Sequence, residues 1–224
     1  MELQTELLDW RDGDVPVSRR FDDPYFSLDN GLAETQHVFL DGNDLPARFT
    51  DGFHIAELGF GTGLNLLATV ALWRSSRQPG TLRFTSFEAF PMTPNDMIRA
   101  QRAFPELSSI ANELAPFWSN GTHEIALPDL HFTLVEGDAR DTVPNMTTLA
   151  DAWFLDGFSP AKNPELWGPD LLSRVAEKTA PNGTAATYTA AGHVRRALDA
   201  ASLITTRIPG FGRKRHMTIA RKIP

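Results

Sequence analysis

At 224 residues, 42% hydrophobic and 22% charged, the chain is long enough for one α/β domain with a full core, and nothing in its composition marks a seam between two domains. It contains no cysteine, which excludes disulfides, thiolate zinc sites, cysteine-held iron–sulfur clusters and a cysteine nucleophile. The formal charge of −7 argues, as a bulk property, against nucleic-acid binding.

Residues Met1 to Asp14 are acidic and lack a basic segment followed by an apolar one, so no secretory signal is expected. No run approaches the length of a membrane span, and a cytoplasmic location is the expectation. Residues 1–52 are short polar and aromatic pieces divided by turn signals at Asp12-Gly13, Asp22-Asp23-Pro24, Asp29-Asn30-Gly31 and Asp41-Gly42. They predict hairpin-like strands and loops forming a small N-terminal β extension.

From Phe53 the pattern changes. Phe53 to Leu58 predicts a strand, Gly59 to Gly63 a tight loop, and Leu64 to Arg74 a helix with Leu67, Val70 and Ala71 on one face. Leu82 to Phe87 predicts a strand, followed by helices over Pro94–Phe104 and Leu107–Phe117. Strands at His131–Val135 and Ala152–Leu155 precede a helix over Glu165–Lys178. Thr184 to Tyr188 then predicts a strand, Val194 to Ala201 a helix, and Ile204–Ile208 with Met217–Ala220 a closing antiparallel edge hairpin. Such alternation implies an α/β, Rossmann-like and mostly parallel sheet with helices on both faces, in a domain of residues 53–224.

Charge is not spread evenly. From Ala190 onward there are eight bases, Arg195, Arg196, Arg207, Arg213, Lys214, Arg215, Arg221 and Lys222, against one acid, Asp199. This segregation points to an anionic partner at the basic end, with solvated helix and strand faces as the plainer alternative.

The loop Glu57-Leu-Gly59-Phe-Gly61-Thr-Gly63 sits where a strand hands over to a helix. Glycines there let the backbone turn tightly and approach a ligand, although a tight turn without a ligand has the same signature. The spacing is G-x-G-x-G rather than the dinucleotide G-x-G-x-x-G. S-adenosylmethionine has no pyrophosphate to seat on a helix N-terminus and does not require the latter spacing. Glu88 ends the next strand and suits a ribose diol, in NAD as well as in S-adenosylmethionine. Asp138 follows the third strand, where it suits an adenine amine or a helix cap. Asp156 ends the fourth. Ligands in open α/β sheets bind beyond the carboxyl ends of the strands, so these groups converge on one crevice. Together they look like a class I S-adenosylmethionine-dependent methyltransferase with an antiparallel final strand.

Longer motifs sharpen this. Asp151 to Trp167 (DAWFLDGFSPAKNPELW), Glu57 to Asn65 (ELGFGTGLN), Ser86 to Thr93 (SFEAFPMT), Thr189 to Arg196 (TAAGHVRR) and Gly210 to Met217 (GFGRKRHM) resemble the MnmC/MnmD family of tRNA-modifying methyltransferases. Tyr25-Phe26-Ser27, Gly31 to Thr35 and His37 to Asn43 follow the same pattern, so the resemblance runs from about Tyr25 to Met217. It implies methyl transfer from S-adenosylmethionine to the nitrogen of 5-aminomethyl-2-thiouridine at the tRNA wobble position, giving 5-methylaminomethyl-2-thiouridine. It also implies an FAD-dependent oxidase, fused or separate, for the preceding step, and leaves open whether this chain stands alone or is one domain of a larger protein.

The chemistry fits the residues. A primary ammonium has no lone pair and must lose a proton before it attacks a sulfonium methyl; an aspartate in the crevice can take that proton. Asp156 is the best-placed acid, and the resemblance puts the family's catalytic aspartate there. Glu57, Gly59, Phe60, Gly61, Gly63, Asn65, Glu88, Asp138 and Asp156 are the expected cofactor residues. Phe158, Lys162 and Asn163 are expected on the substrate side, although core packing is the plainer reading of Phe60 and Phe158. Arg195, Arg196, Arg213, Lys214 and Arg215 are expected on tRNA phosphates. The six histidines are scattered, and no metal site is expected. The rival readings are methylation of a small amine or a protein side chain, a nicotinamide-dependent dehydrogenase, and a non-catalytic RNA-binding domain.

Overall fold

The computed structural model describes residues 7–11, 14–27 and 30–223. The turn signal at Asp12-Gly13, Asp29 of the third signal, and most of the acidic N-terminal stretch therefore lie outside the described residues. Leu8–Arg11 (β1), Val15–Ser18 (β2) and Asp23–Pro24 (β3) form a small antiparallel sheet. It is fastened to the main body: Arg99 reaches Asp14 at 2.8 Å and lies over the Trp10 ring at 3.9 Å.

The central sheet has eight strands. They are His54–Leu58 (β4), Leu82–Glu88 (β5), Glu124–Leu127 (β6), Leu130–Glu136 (β7), Ala150–Leu155 (β8), Thr179–Thr187 (β9), Leu203–Pro209 (β10) and His216–Lys222 (β11). Their order is β10-β11-β9-β8-β4-β5-β7-β6, with β7, β5, β4, β8 and β9 mutually parallel. The final strand β11 pairs antiparallel with both β9 and β10, so the closing hairpin inserts its second strand and leaves β10 at the edge.

Parallel strands covered on both faces read as apolar runs, and β8 is the clearest case. Ala152 and Phe154 face one core, Trp153 and Leu155 the other, and all four are buried. The first core is covered by Leu64–Ser76 (α2), Pro94–Gln101 (α3) and Ser108–Ser119 (α4), through residues such as Leu67, Trp73 and Leu114. The second lies under Ala139–Thr142 (α5), Pro169–Glu177 (α6) and Gly192–Ala200 (α7), through Leu172, Val175, Val194 and Leu198.

Several elements depart from the sequence reading. Residues 31–43, expected as strands and loops, are helical: Gly31–Thr35 forms α1, followed by wider and tighter turns through Asn43. The Asn30 side chain accepts from the Ala33 N–H, so this turn signal is a helix cap. Val38, Phe39 and Leu40 then bury against the sheet, with the Phe39 ring 5.4 Å from that of Phe154. That cover explains why α2 is buried on all sides from Leu64 to Val70 rather than on one face.

The helix expected from Glu165 begins at Pro169. A single turn over Pro164–Trp167 precedes it, and Gly168 stays extended because the residue before proline disfavours helix. The short edge strand β6 had no signal of its own. β9 starts at Thr179 and bulges between Thr179, opposite Ala150, and Thr184, opposite Ala152, where Asn182 sits at φ +62°.

Phe154 sits between the Phe39 and Phe84 rings in the middle of the sheet. Phe154→Ala is expected to lower unfolding free energy by roughly 3–5 kcal/mol, read from urea denaturation; a loss near zero would mean the core does not depend on that strand.

Candidate active site

The carboxyl ends of β4, β5, β7 and β8 open onto one cavity of about 860 Å³, large enough for a cofactor together with an acceptor group. The first wall is the loop after β4. Gly59 (φ +80°) faces Gly157 (φ +111°), and a Cβ on Gly59 would stand 3.0 Å from the Gly157 Cα. The two loops therefore meet backbone to backbone, which only glycine permits at these positive φ values.

Behind the loop lies a buried hydrogen-bond junction centred on Asn65. Its Nδ2 donates to Glu57 Oε1 and to Asp156 Oδ2, both at 2.8 Å, and its Oδ1 accepts from the Thr35 hydroxyl at 2.8 Å. Glu57 also accepts from Ser86 Oγ at 2.5 Å and is fully enclosed. Burial pushes the Glu57 carboxyl well above the usual carboxylate range, against the pull of those bonds.

Asp156 lines the cavity. Its Oδ1 accepts from the Gly157 N–H at 2.8 Å. Burial pushes its carboxyl up to about 7, while the Gly157 N–H and the Asn65 amide pull it down; the Glu34 charge adds to the rise and Lys214 offsets it. Near neutrality such a group exchanges its proton readily.

Glu88 accepts from the Gly61 N–H at 3.0 Å and the Phe90 N–H at 2.9 Å. A carboxylate has about four acceptor positions, the chemistry that a ribose diol requires. Asp138 caps α5 through the Arg140 N–H and also holds the Arg140 side chain at 2.5–3.0 Å, which keeps its carboxyl below the usual range. It caps a helix and lines the cavity at once.

The remaining expected residues divide. Gly59, Phe60, Gly61, Asn65, Glu88, Asp138, Asp156, Phe158, Lys162, Asn163, Arg213 and Lys214 all border the cavity. Glu57 and Gly63 do not. Glu57 is sealed beneath Asn65, and Gly63 turns the chain into α2. Phe60 also packs on Trp118 and Phe132, so its ring belongs to the core as much as to the site. Lys162 is engaged by Asp22 and Asp23 at 3.3 and 3.7 Å. Arg195, Arg196 and Arg215 lie outside the cavity: the first two are carried on α7, and Arg195 Nε is buried without a hydrogen-bond partner.

The sequence reading missed the N-terminal wall. Phe21 stacks on Phe158 at 4.6 Å, Tyr25 meets the same ring edge-on at 4.9 Å, and Arg20 lies over Phe90 at 4.2 Å. Glu34 and Thr35 enter from α1. Tyr188, at the end of β9, donates to the Gly157 carbonyl at 2.8 Å. One signal was available: the chain has only two tyrosines, and both line the cavity. Among the described residues no group of three or more His, Asp or Glu is placed to hold a metal ion, and no helix is long and apolar enough to cross a membrane.

The sheet order and the acid-ended crevice define a class I S-adenosylmethionine-dependent methyltransferase. A family described as S-adenosyl-L-methionine-dependent methyltransferase matches residues 105–223, and the chain belongs to that family. The chain is 45% identical over 96% of its length to the tRNA 5-methylaminomethyl-2-thiouridine biosynthesis bifunctional protein MnmC of Acinetobacter baylyi. It is 46% identical over 92% of its length to the protein of the same name from Caulobacter sp. strain K31. It covers only 37% and 36% of these relatives, little more than a third of their length. Among solved structures, MNMC2 from Aquifex aeolicus superposes with a TM-score of 0.76 at 27% identity, over the whole of this chain and 72% of that one.

Because the folded chain keeps the Asp156 proton up to about pH 7, whereas a free aspartate loses it near pH 4, ionisation in that window opposes folding. Asp156→Asn cannot ionise. Its stability relative to wild type is expected to rise by roughly 1–3 kcal/mol between about pH 4.5 and about pH 7.5. Urea denaturation at the two pH values measures this, and an equal difference at both would contradict it.

Proposed function

We propose that this protein methylates the 5-aminomethyl nitrogen of the wobble uridine in tRNA, with 5-aminomethyl-2-thiouridine as acceptor and 5-methylaminomethyl-2-thiouridine as product. The observation that carries the reading is Asp156: a cavity-lining carboxyl, held by two N–H donors and poised near neutrality, at the end of the fourth parallel strand. The nucleoside is supported by relatives 45% and 46% identical to this chain, whose name is tRNA 5-methylaminomethyl-2-thiouridine biosynthesis bifunctional protein. Those relatives are called bifunctional and are far longer than this chain. The amine acceptor therefore requires a second activity, for which we propose an FAD-dependent oxidase, in the same polypeptide or separate.

The residues fit S-adenosylmethionine. Glu88 would hold the ribose diol, the Gly59–Gly61 backbone the body of the cofactor, and Asp138 the adenine amine. Asp156 and Phe158 would border the reacting end. When bound, S-adenosylmethionine supplies a methyl carbon on a sulfonium, taken by the amine lone pair as the carbon–sulfur bond breaks and sulfur becomes a neutral thioether. Asp156 makes that lone pair available by accepting one proton from the acceptor's ammonium. Its two N–H bonds hold the carboxylate in one orientation, ready to take that proton. Phe158, Lys162 and Asn163 shape the acceptor side, and Arg213, with Arg195, Arg196 and Arg215 outside the cavity, supplies charge for tRNA phosphates.

Incubation of aminomethylated tRNA with S-adenosylmethionine, followed by nucleoside mass spectrometry, is expected to show one added methyl on the aminomethyl uridine. No gain there would overturn the reading, and methylation of a small amine but not of tRNA would replace it. In wild type, kcat/KM is expected to climb as pH rises through about 7, because the base acts only when ionised. Asp156→Asn is expected to lose about 10²–10⁴-fold in kcat and the pH limb with it.

Arg213→Ala is expected to raise KM for tRNA and shallow its salt dependence by about one counterion, leaving cofactor affinity unchanged. An unchanged salt slope would remove Arg213 from the phosphate contacts.

A further inference from the structure

Glu34 was not expected at the site. Its carboxylate, with a side chain only 14% exposed, borders the cavity and receives the Lys214 ammonium at 2.7 Å. The same ammonium lies 4.1 Å from the centroid of the Tyr188 ring. A carboxylate on one side and an aromatic face on another is a binding arrangement for an alkylammonium. The Tyr188 ring is set by its hydroxyl, which donates to the carbonyl of Gly157, next to Asp156. Glu34 is set by its neighbour Thr35, which donates to Asn65, the residue that holds Asp156. The ammonium arrangement and the base are thus built on the same pieces of backbone.

Lys214 ends in a primary ammonium on a methylene, and so does the acceptor group of 5-aminomethyluridine. The lysine reaches the cavity from the exposed turn between β10 and β11, where Arg213 and Arg215 flank it. Glu34 and Lys214 act on Asp156 in opposite senses, so exchanging one ammonium for another preserves the electrostatic balance at the base.

We propose that Glu34 and the Tyr188 ring form the recognition box for the acceptor's ammonium, and that Lys214 occupies this box until the substrate displaces it. The proposal rests on the aminomethyl acceptor argued above. It makes the choice of an amine a binding event: a neutral substituent at the same ring position gains nothing from the box and leaves the lysine in place. Displacement also frees Lys214 to join the basic turn facing an RNA phosphate.

The test is calorimetric titration of the full chain, saturated with S-adenosylhomocysteine, with 5-aminomethyluridine and with 5-hydroxymethyluridine. Neither nucleoside carries a phosphate, so a phosphate role for Lys214 cannot enter. Wild type is expected to prefer the amine by at least about tenfold. Glu34→Gln is expected to erase that preference, and Lys214→Met to tighten amine binding severalfold without changing the hydroxymethyl nucleoside. A preference that survives in Glu34→Gln, amine binding weakened in Lys214→Met, or a wild type that does not discriminate would each overturn the proposal. Methyl transfer to aminomethylated tRNA is measured on wild type in parallel. Absence of transfer overturns the function proposed above, whereas transfer combined with an intact preference in Glu34→Gln overturns the box alone.

Discussion

The amide of Asn65 holds two carboxyl groups at once, and the site is organised around that fact. Its two N–H bonds go to Glu57 and Asp156, which belong to different strands, and its oxygen is closed off by Thr35 from the N-terminal segment. Leaving any of these buried groups unpaired costs about 1–3 kcal/mol, more where charge is involved, so the junction demands its geometry. Strands β4 and β8 must lie side by side and in register, as the pairing of Leu58 with Leu155 achieves, for the two carboxyls to meet one side chain. α2 must begin directly after the glycine loop to bring Asn65 beneath both. Glu57 serves this arrangement from below; Asp156, one shell outward, faces the cavity.

The two halves of the cavity have different origins. The parallel sheet contributes the wall with the glycine loop and the strand-end acids Glu88 and Asp138, which we propose as the cofactor side. The N-terminal segment lines the opposite wall, which we propose as the acceptor side: Phe21 and Tyr25 pack on Phe158, Asp22 and Asp23 engage Lys162, and the Ser159 N–H donates to Asp23 at 3.1 Å. We therefore propose that residues 1–52 and 53–224 are an extension and a core that act as one unit, since neither completes the site without the other.

Charge follows the same division. The acidic total conceals a basic C-terminal stretch, and one of its members, Lys214, points back into the acid-lined cavity rather than outward. This chain carries no cysteine with which to methylate a pyrimidine ring through a thiolate adduct, and the acceptor proposed above, an exocyclic amine, carries its own nucleophile.

Local pattern was sufficient for the parallel strands at the centre of the sheet. Apolar runs ending in glycine or an acid located β4, β5, β7 and β8 and placed Glu88, Asp138 and Asp156 at their carboxyl ends, because strand termini and tight turns are written in adjacent residues. Pattern did not reveal that residues 31–43 are helical, since Asp29-Asn30-Gly31 and Asp41-Gly42 suit a turn and a cap equally well and only burial against Phe154 selects between them. Nor did it show that Glu57, expected among the cofactor residues, is sealed under Asn65 and does not border the cavity. The sequence by itself determined the fold class and put Asp156 at the end of the strand that opens onto the cavity. The tertiary structure alone brought Glu34, Thr35, Tyr188 and Lys214 together from positions up to 180 residues apart, because that proximity depends on how α1 and the last hairpin pack, which no local pattern encodes.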